Sequence, residues 1–238
     1  MLANMDHPPS VLYLEHDGKV LLVDEEGNGP YLPETNRIGP TKYRLPTTEE
    51  ATALGLSWAV KNRFQILGFE VIKAHPEIEW PADWAWKDDC ISDDWVHPIA
   101  REAIYRSIHR VVSKVIIQNP KGEVLMGKVE RGHFVGHWTL PGGYMDHDEH
   151  PEIACVRETF EEMGIKISLL EEKPIITQKI FTSEGISFVS FTYRANWSGD
   201  DELIKPKKNE IADFGWFSPQ DALDNAISGF DIAALKHL

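Results

Sequence analysis

The sequence predicts an α+β fold in two parts, a small N-terminal α+β unit followed by a larger domain with a mixed sheet and helices. Three observations carry this. Two stretches, 11–24 and 111–129, each read as an apolar run, a turn and a second apolar run. Residues 151–163 form an apolar-striped segment with a helix start signal and a helix stop signal. Between these parts lies a tryptophan-rich acidic stretch with no period of its own. The expected divisions are 1–74 for the first unit, 75–107 for a connector with a helix, and 108–238 for the main domain.

In chain order, Asp17-Gly18 between two apolar runs is a hairpin signal. Thr47 with Glu50 forms a capping box. A helix is expected from there to about Leu67, stopping at Gly68, with the strand FEVIK after it. The segment 75–97 holds four of the eight tryptophans, and Pro76 and Pro81 interrupt it. It reads as a surface connector anchored by its aromatic rings, or less simply as a docking surface for a partner or a base. PIAREAIYRSIHR, from Pro98, reads as a helix.

The main domain opens with strands at 111–118 and 123–129 around the turn Asn119-Pro120-Lys121-Gly122. Thr139-Leu140-Pro141-Gly142-Gly143 leads into a loop, and Pro151 suits the first turn of the helix that follows. Asp148 and Glu149 bring negative charge to its positive end, and Gly164 ends it. A helical wheel puts Ile153, Val156, Phe160 and Met163 on one face. Glu158, Glu161 and Glu162 fall on the opposite face at i, i+3 and i+4, so their carboxylates are expected to converge. Such clustering costs about 0.2–0.5 kcal/mol per like-charged pair. Arg157, four residues before Glu161, relieves part of it, and a hard divalent cation would relieve more. Three clustered glutamates are most simply a solvated helix face, and it is the glycines and Glu149 before them that shift the balance. Further strands are expected at 166–181, 186–197 and 210–217, and Ser218-Pro219 caps a helix.

The stretch Gly143 to Ile165 resembles the Nudix box, Gly-x5-Glu-x7-Arg-Glu-U-x-Glu-Glu-x-Gly-U, where U is a bulky aliphatic residue. Gly143, Glu149, Arg157, Glu158, Glu161, Glu162, Gly164 and Ile165 match at the right spacing. Thr159 departs from it; its hydroxyl needs a partner, which a carbonyl one turn earlier can supply. The resemblance covers about residues 108–230 and implies an α/β/α sandwich with a mixed sheet. It implies a pyrophosphate hydrolase in which Glu158, Glu161 and Glu162, with the Gly142 carbonyl, hold Mg²⁺ or Mn²⁺. Arg157 would orient Glu158 or Glu161, and Glu158 and Glu161 are the other candidate catalytic groups. The implied substrate is a nucleoside diphosphate linked to another moiety: a nucleotide sugar, a dinucleotide or a nucleoside triphosphate. Trp138 and Phe134 are candidates for stacking on its base, as are Phe181 and Tyr193, and Lys207 is a candidate for its phosphates. All of these have plainer readings as core or solvated residues.

Composition bounds the alternatives. Of the 238 residues 42% are hydrophobic and 26% charged, as in soluble globular chains. No apolar run is long enough to span a membrane, and the two cysteines form neither a disulfide framework nor a zinc site, so a cytoplasmic setting is expected. A net charge of −14 opposes general nucleic-acid binding but not a small phosphorylated substrate beside a cation. A non-catalytic nucleotide sensor and an isopentenyl-diphosphate isomerase are the other readings. The sensor reading is weakened by the nearly intact box, the isomerase reading by the placement of Cys90 and Cys155. The first hundred residues are expected to narrow substrate choice or to make a homodimer, and to supply no metal ligand.

Overall fold

A computed structural model describes residues 9–32, 37–132, 134–181 and 183–238. The chain divides into two compact units: residues up to 108 together with 180–187, and residues 109–179 with 188–238.

The first unit starts with the expected hairpin, β1 (Ser10–His16) and β2 (Lys19–Val20). Asp17 and Gly18 both take left-handed angles, φ 49° and 78°, which suit the right-handed twist of the strands. The capping box also forms: Thr47 accepts from the Glu50 N–H, and the Glu50 carboxylate takes the Thr47 N–H. The helix it starts, α1 (Thr48–Ala53), is far shorter than expected. Gly55, at φ 76°, turns the chain out of the helix, and the supposed remainder is β3 (Trp58–Ile66), antiparallel to β4 (Phe69–Pro76). β3 is an edge strand with most of its side chains in solvent, so it lacks the apolar alternation that announces a strand.

The stretch 75–107 is part of this unit rather than a connector beside it. It supplies β5 (Ala85–Trp86), α2 (Lys87–Ile91) and α3 (Pro98–Ser107). Trp84, Cys90, Val96, Ile99, Ala103 and Ile104 are buried. The sheet order is β3-β4-β1-β2-β5, with β1 parallel to β4. Successive β1 side chains face opposite layers: Leu12 and Leu14 join the cluster of Ala51 in α1, and Tyr13 joins that of Cys90 in α2 and Ile104 in α3.

The second unit contains β6 (Arg110–Gln118), β7 (Val124–Val129), β8 (Trp138–Thr139), β9 (Gly142–Tyr144), α4 (Pro151–Met163), most of β10 (Ile175–Phe181) and of β11 (Ile186–Asn196), β12 (Ile211–Phe217), α5 (Pro219–Asn225) and α6 (Gly229–Leu235); residues 180–181 of β10 and 186–187 of β11 count with the first unit. The main path of its sheet is β10-β11-β6-β7-β12; β8 pairs with β7 and β9 with β6. β6 runs parallel to β11 and antiparallel to β7, so the sheet is mixed. Val115 and Ile117 of β6 cluster with Cys155 and Met163 of α4, while Ile116 clusters with Ala222 of α5 and Ala234 of α6. The sheet therefore lies between helical layers. Residues 166–174 are not a strand; Leu169 makes a single bridge to Ala195.

α4 begins and ends where the local chemistry requires. Pro151 stands at its first position and Gly164 takes φ 71° after its end. Its buried face is only partly the expected one: Met163 is buried and Val156 packs against the core, but two of the four expected residues lie outside. Ala154, Cys155, Thr159 and Met163 are buried, whereas Ile153 and Phe160 are 58% and 48% exposed. The helix packs on β6 and β9. Alanine, cysteine and threonine join Met163 in that interface, while Ile153 and Phe160 stay on the outside.

Candidate active site

Gly142 and Gly143 bring β9 against α4. A Cβ on Gly142 would run into the Ser113 carbonyl of β6, and Gly142 takes φ 131°. A Cβ on Gly143 would lie 2.6 Å from Glu158 Oε2. Glycine at 142 lets β9 close on β6, and glycine at 143 lets it lie beside the Glu158 carboxylate.

Arg157 is the hub of the helix's polar face. Its Nε and Nη2 donate to the two oxygens of Glu149, both at 2.8 Å. Nη1 donates to Glu158 Oε1 at 2.8 Å and to Glu161 Oε1 at 3.5 Å, and Nη2 also reaches the Tyr144 carbonyl at 3.1 Å. The fork geometry holds Glu149 down to a pKa of about 2 and raises that of Arg157 itself. Glu149 also accepts from the Asp146 N–H, so one carboxylate ties the loop to the helix.

The other carboxylates move in the opposite direction. Burial raises the Glu158 pKa, with Arg157 opposing and Glu161 adding to the rise. Burial pushes Glu162 up to about 7, against the Gly142 N–H, which it accepts at 2.9 Å, and the charge of Lys114. Two glutamates on one helix face are thus short of positive charge. Glu161 is 43% exposed.

The three carboxylates do not meet at one point. Among the described residues no group of three or more His, Cys, Asp or Glu side chains is arranged to hold a metal. Glu158 turns to Arg157 and Glu162 to the Gly142 N–H, so like charges part and each takes the nearest donor. The donors still suit a hard divalent cation in kind: they are carboxylate oxygens, partly desolvated and under-neutralised. The Thr159 hydroxyl is buried and donates to the Cys155 carbonyl at 2.7 Å, the one-turn-back bond expected of it.

The remaining candidates are scattered. Lys207 Nζ pairs with Glu210 at 2.9 Å, while its N–H donates to the Glu162 carbonyl, so its backbone lies at the end of α4. The Trp138 ring packs edge-on against Phe217 at 4.9 Å, a core contact. Phe134 lies 6.4 Å from Phe230. Tyr193 is buried in the α4-side cluster and offers no face to a base. The Phe181 side chain lies outside the described residues.

One pair escaped the sequence reading. Lys114 Nζ lies 3.1 Å from each oxygen of Asp231, which is buried, but hydrogen-bonds only Oδ2. Asp231 Oδ2 also accepts the Leu140 N–H at 3.3 Å, fixing the segment that leads to Gly142. Burial raises the Asp231 pKa against the pull of Lys114. Nothing in a sequence joins positions so far apart; the only local signal was Ser228 capping α6 through the Asp231 N–H.

A family model described as NUDIX domain matches residues 108–237. A "MutT-like protein" of Streptomyces ambofaciens is 29% identical over 103 residues, which are 43% of this chain and 62% of that protein. A "Putative 8-oxo-dGTP diphosphatase 3" of Mycobacterium tuberculosis is 32% identical over 94 residues, 39% of this chain and 42% of that protein. A "Nucleoside triphosphatase NudI" of Escherichia fergusonii is 31% identical over 122 residues, 47% of this chain and 84% of that protein. The chain thus spans less than two thirds of the first two relatives. Among solved structures, a MutT NUDIX hydrolase from Burkholderia pseudomallei aligns with TM-score 0.46 and 28% identity, over 55% of this chain and 98% of that one.

Proposed function

The chain belongs to the NUDIX family through residues 108–237, and on that premise we propose that it hydrolyses a pyrophosphate bond in a small nucleotide with the help of Mg²⁺ or Mn²⁺. The observation that carries the reading is the polar face of α4: Arg157 forked onto Glu149 and bonded to Glu158, beside two glutamates whose burial leaves negative charge unbalanced.

Glu158, Glu161 and Glu162 would hold the cation, with the Gly142 carbonyl as a further candidate. A cation held there would supply neutralisation of phosphate charge. Arg157 keeps Glu158 in place, and the Gly142 N–H keeps Glu162 in place. In the reaction a water oxygen bonds to phosphorus, the bridging P–O bond breaks, and the leaving phosphate departs with the bridging oxygen. The water's proton passes to a base, for which Glu158, with its raised pKa, is the candidate. A nucleoside diphosphate linked to another group would give a nucleoside monophosphate. The relatives named as a diphosphatase and a triphosphatase favour a nucleotide substrate. The two cysteines are free and buried, which is in keeping with a cytoplasmic setting, and among the described residues no helix is long and apolar enough to cross a membrane.

The test is a panel of nucleoside triphosphates, nucleotide sugars and dinucleotides with Mg²⁺ or Mn²⁺, the products identified by mass. Turnover of at least one with cleavage between phosphates is expected. Tight binding of one nucleotide with no turnover of any would favour the sensor and overturn the hydrolase.

A further inference from the structure

The two units carry the same connectivity. The order β3-β4-β1-β2-β5 in the first reads β10-β11-β6-β7-β12 in the second, with a helix following the central hairpin and two helices closing each unit. The sense of pairing repeats: β1 is antiparallel to β2 and parallel to β4, as β6 is to β7 and β11. β2 is antiparallel to β5, as β7 is to β12.

The correspondence holds residue by residue. The Leu12 N–H donates to the Pro46 carbonyl at 2.8 Å, and the Val115 N–H donates to the Pro141 carbonyl at 3.0 Å. Val23 bridges Arg44 as Gly127 pairs with Thr139, which aligns Leu45-Pro46 with Leu140-Pro141. Tyr43 makes a parallel bridge to Val96, between α2 and α3; Trp138 makes one to Ala226, between α5 and α6. The buried faces agree as well. Leu12, Leu14, Leu21, Ile72 and Ala74 lie on the α1 side, and their counterparts Val115, Ile117, Leu125, Tyr193 and Ala195 lie on the α4 side. On the opposite side, Tyr13, Val20 and Cys90 correspond to Ile116, Val124 and Ala222. A chance likeness of hairpins would not reproduce register, layer and isolated bridges together.

What differs is the segment after the Leu-Pro. It is Gly142–Met163 before Gly164 in the second unit, but only Thr47–Leu54 before Gly55, which also takes a left-handed angle. Counted back from the glycine, Glu49, Thr52 and Ala53 stand where Glu158, Glu161 and Glu162 stand. Thr47 stands in place of Gly142, and its N–H donates to the Glu50 carboxylate at 2.8 Å, as that of Gly142 does to Glu162. Glu50 is also held by both terminal nitrogens of Arg44, at 2.6 and 2.8 Å.

We propose that the first unit is a second NUDIX-type fold whose box has been cut down and has lost two of the three aligned carboxylates, with the Arg44 guanidinium supplying the positive charge that a cation would supply in the second. It is a cation-free, non-hydrolysing copy, and all hydrolysis belongs to the second unit. The charge comparison rests on reading Glu158, Glu161 and Glu162 as cation ligands; the duplication of the fold does not.

The test keeps the full chain and uses Mn²⁺ as probe, counted by the loss of its free paramagnetic signal, in a Glu158→Gln, Glu161→Gln, Glu162→Gln background. One variant replaces residues 47–56 by a second copy of residues 142–165. Another makes only Arg44→Ala, Thr52→Glu and Ala53→Glu. The graft is expected to melt cooperatively, to keep the Leu12 amide protected from exchange, and to gain about one Mn²⁺ over its background. The point variant is expected to gain weaker binding. A graft that unfolds or exposes the Leu12 amide, alongside a point variant with no gain, overturns the duplication. A folded graft without Mn²⁺, where the wild-type chain binds it, overturns the charge replacement alone. If neither graft nor wild type binds Mn²⁺, the ligand reading of α4 fails while a protected Leu12 amide still upholds the duplication.

Discussion

Replacing Arg157 by alanine should damage the second unit in two measurable ways. The side chain is only 26% exposed, and the two carboxylates it holds most closely, Glu149 and Glu158, are 11% and 15% exposed. Removing one partner of a buried pair costs about 3–5 kcal/mol because the other charge is stranded. Partial exposure of all three groups lets water recover part of this, so about 2–3 kcal/mol is expected. For a unit of this size that is on the order of 8 °C in melting temperature. Turnover should fall further than stability explains. Glu158 loses its anchor and Glu149 no longer ties the loop to the helix, and misplacement of about 1 Å can cost about 10²-fold. Calorimetry and initial rates on the same preparation test both, at a temperature well below the melting point of the variant. Arg157→Lys keeps the charge without the fork and should recover stability more than rate. Arg157→Ala with wild-type melting and wild-type turnover would refute the hub role outright.

Other substitutions separate structure from chemistry. Gly143→Ala should reduce turnover about 10²-fold by pushing Glu158 aside, with a smaller loss in melting temperature than Arg157→Ala because Glu149 keeps its fork on Arg157. Glu161→Gln, at an exposed position, should leave melting unchanged and lower turnover by about 10²–10³-fold at saturating Mg²⁺; near-normal rates would remove Glu161 from the proposed cation ligands. Thr159→Val replaces a buried hydroxyl by a methyl of the same shape and should shift stability by less than about 0.5 kcal/mol, measured by denaturant titration. The Glu50 pKa is lowered, first by its bonds to Arg44, so its contribution is complete above the unfolded value and is lost as pH falls through the lower, folded one. The first unit should therefore weaken below about pH 4.5, and Glu50→Gln, about 1 kcal/mol less stable at pH 7, should lack that component of the acid transition.

Most of what could be read in advance was local. The Asp17-Gly18 turn, the Thr47–Glu50 box, Pro151 and Gly164 each set a backbone angle or satisfy a backbone group within a few residues, and each lies where the sequence puts it. What depended on size and distance was misread. The wheel ranked α4 by hydrophobicity, but the helix lies against two strands, so alanine, cysteine and threonine went inside and Phe160 stayed out. The long helix expected after Thr47 ignored the stop at Gly55, because β3 shows little apolar alternation. The helix from Pro98 lies where the sequence puts it, but the stretch 75–97 looked like a connector because its buried Trp84, Cys90 and Val96 sit on or between elements too short to show a period. Lys114 and Asp231 meet only through the tertiary fold.

Burial and neutralisation of the helix carboxylate separate the two halves of the chain: the Glu50 side chain is 24% exposed, whereas burial dominates at Glu162. In the first unit Glu50 takes a backbone N–H and a two-pronged guanidinium, and its pKa falls. In the second, Glu162 takes the corresponding N–H but has only the more remote charge of Lys114, and burial carries it up to about 7. A scaffold that stores charge in an unrelieved state is less stable than one that answers it internally, and it is retained where a ligand supplies the missing charge. The same backbone motif, a peptide N–H after Leu-Pro capturing a helix carboxylate, thus serves as a staple in one unit and, on the proposed function, would hold a cation ligand in place in the other. The difference turns on Arg44 and on the residues that separate Pro141 from Gly164.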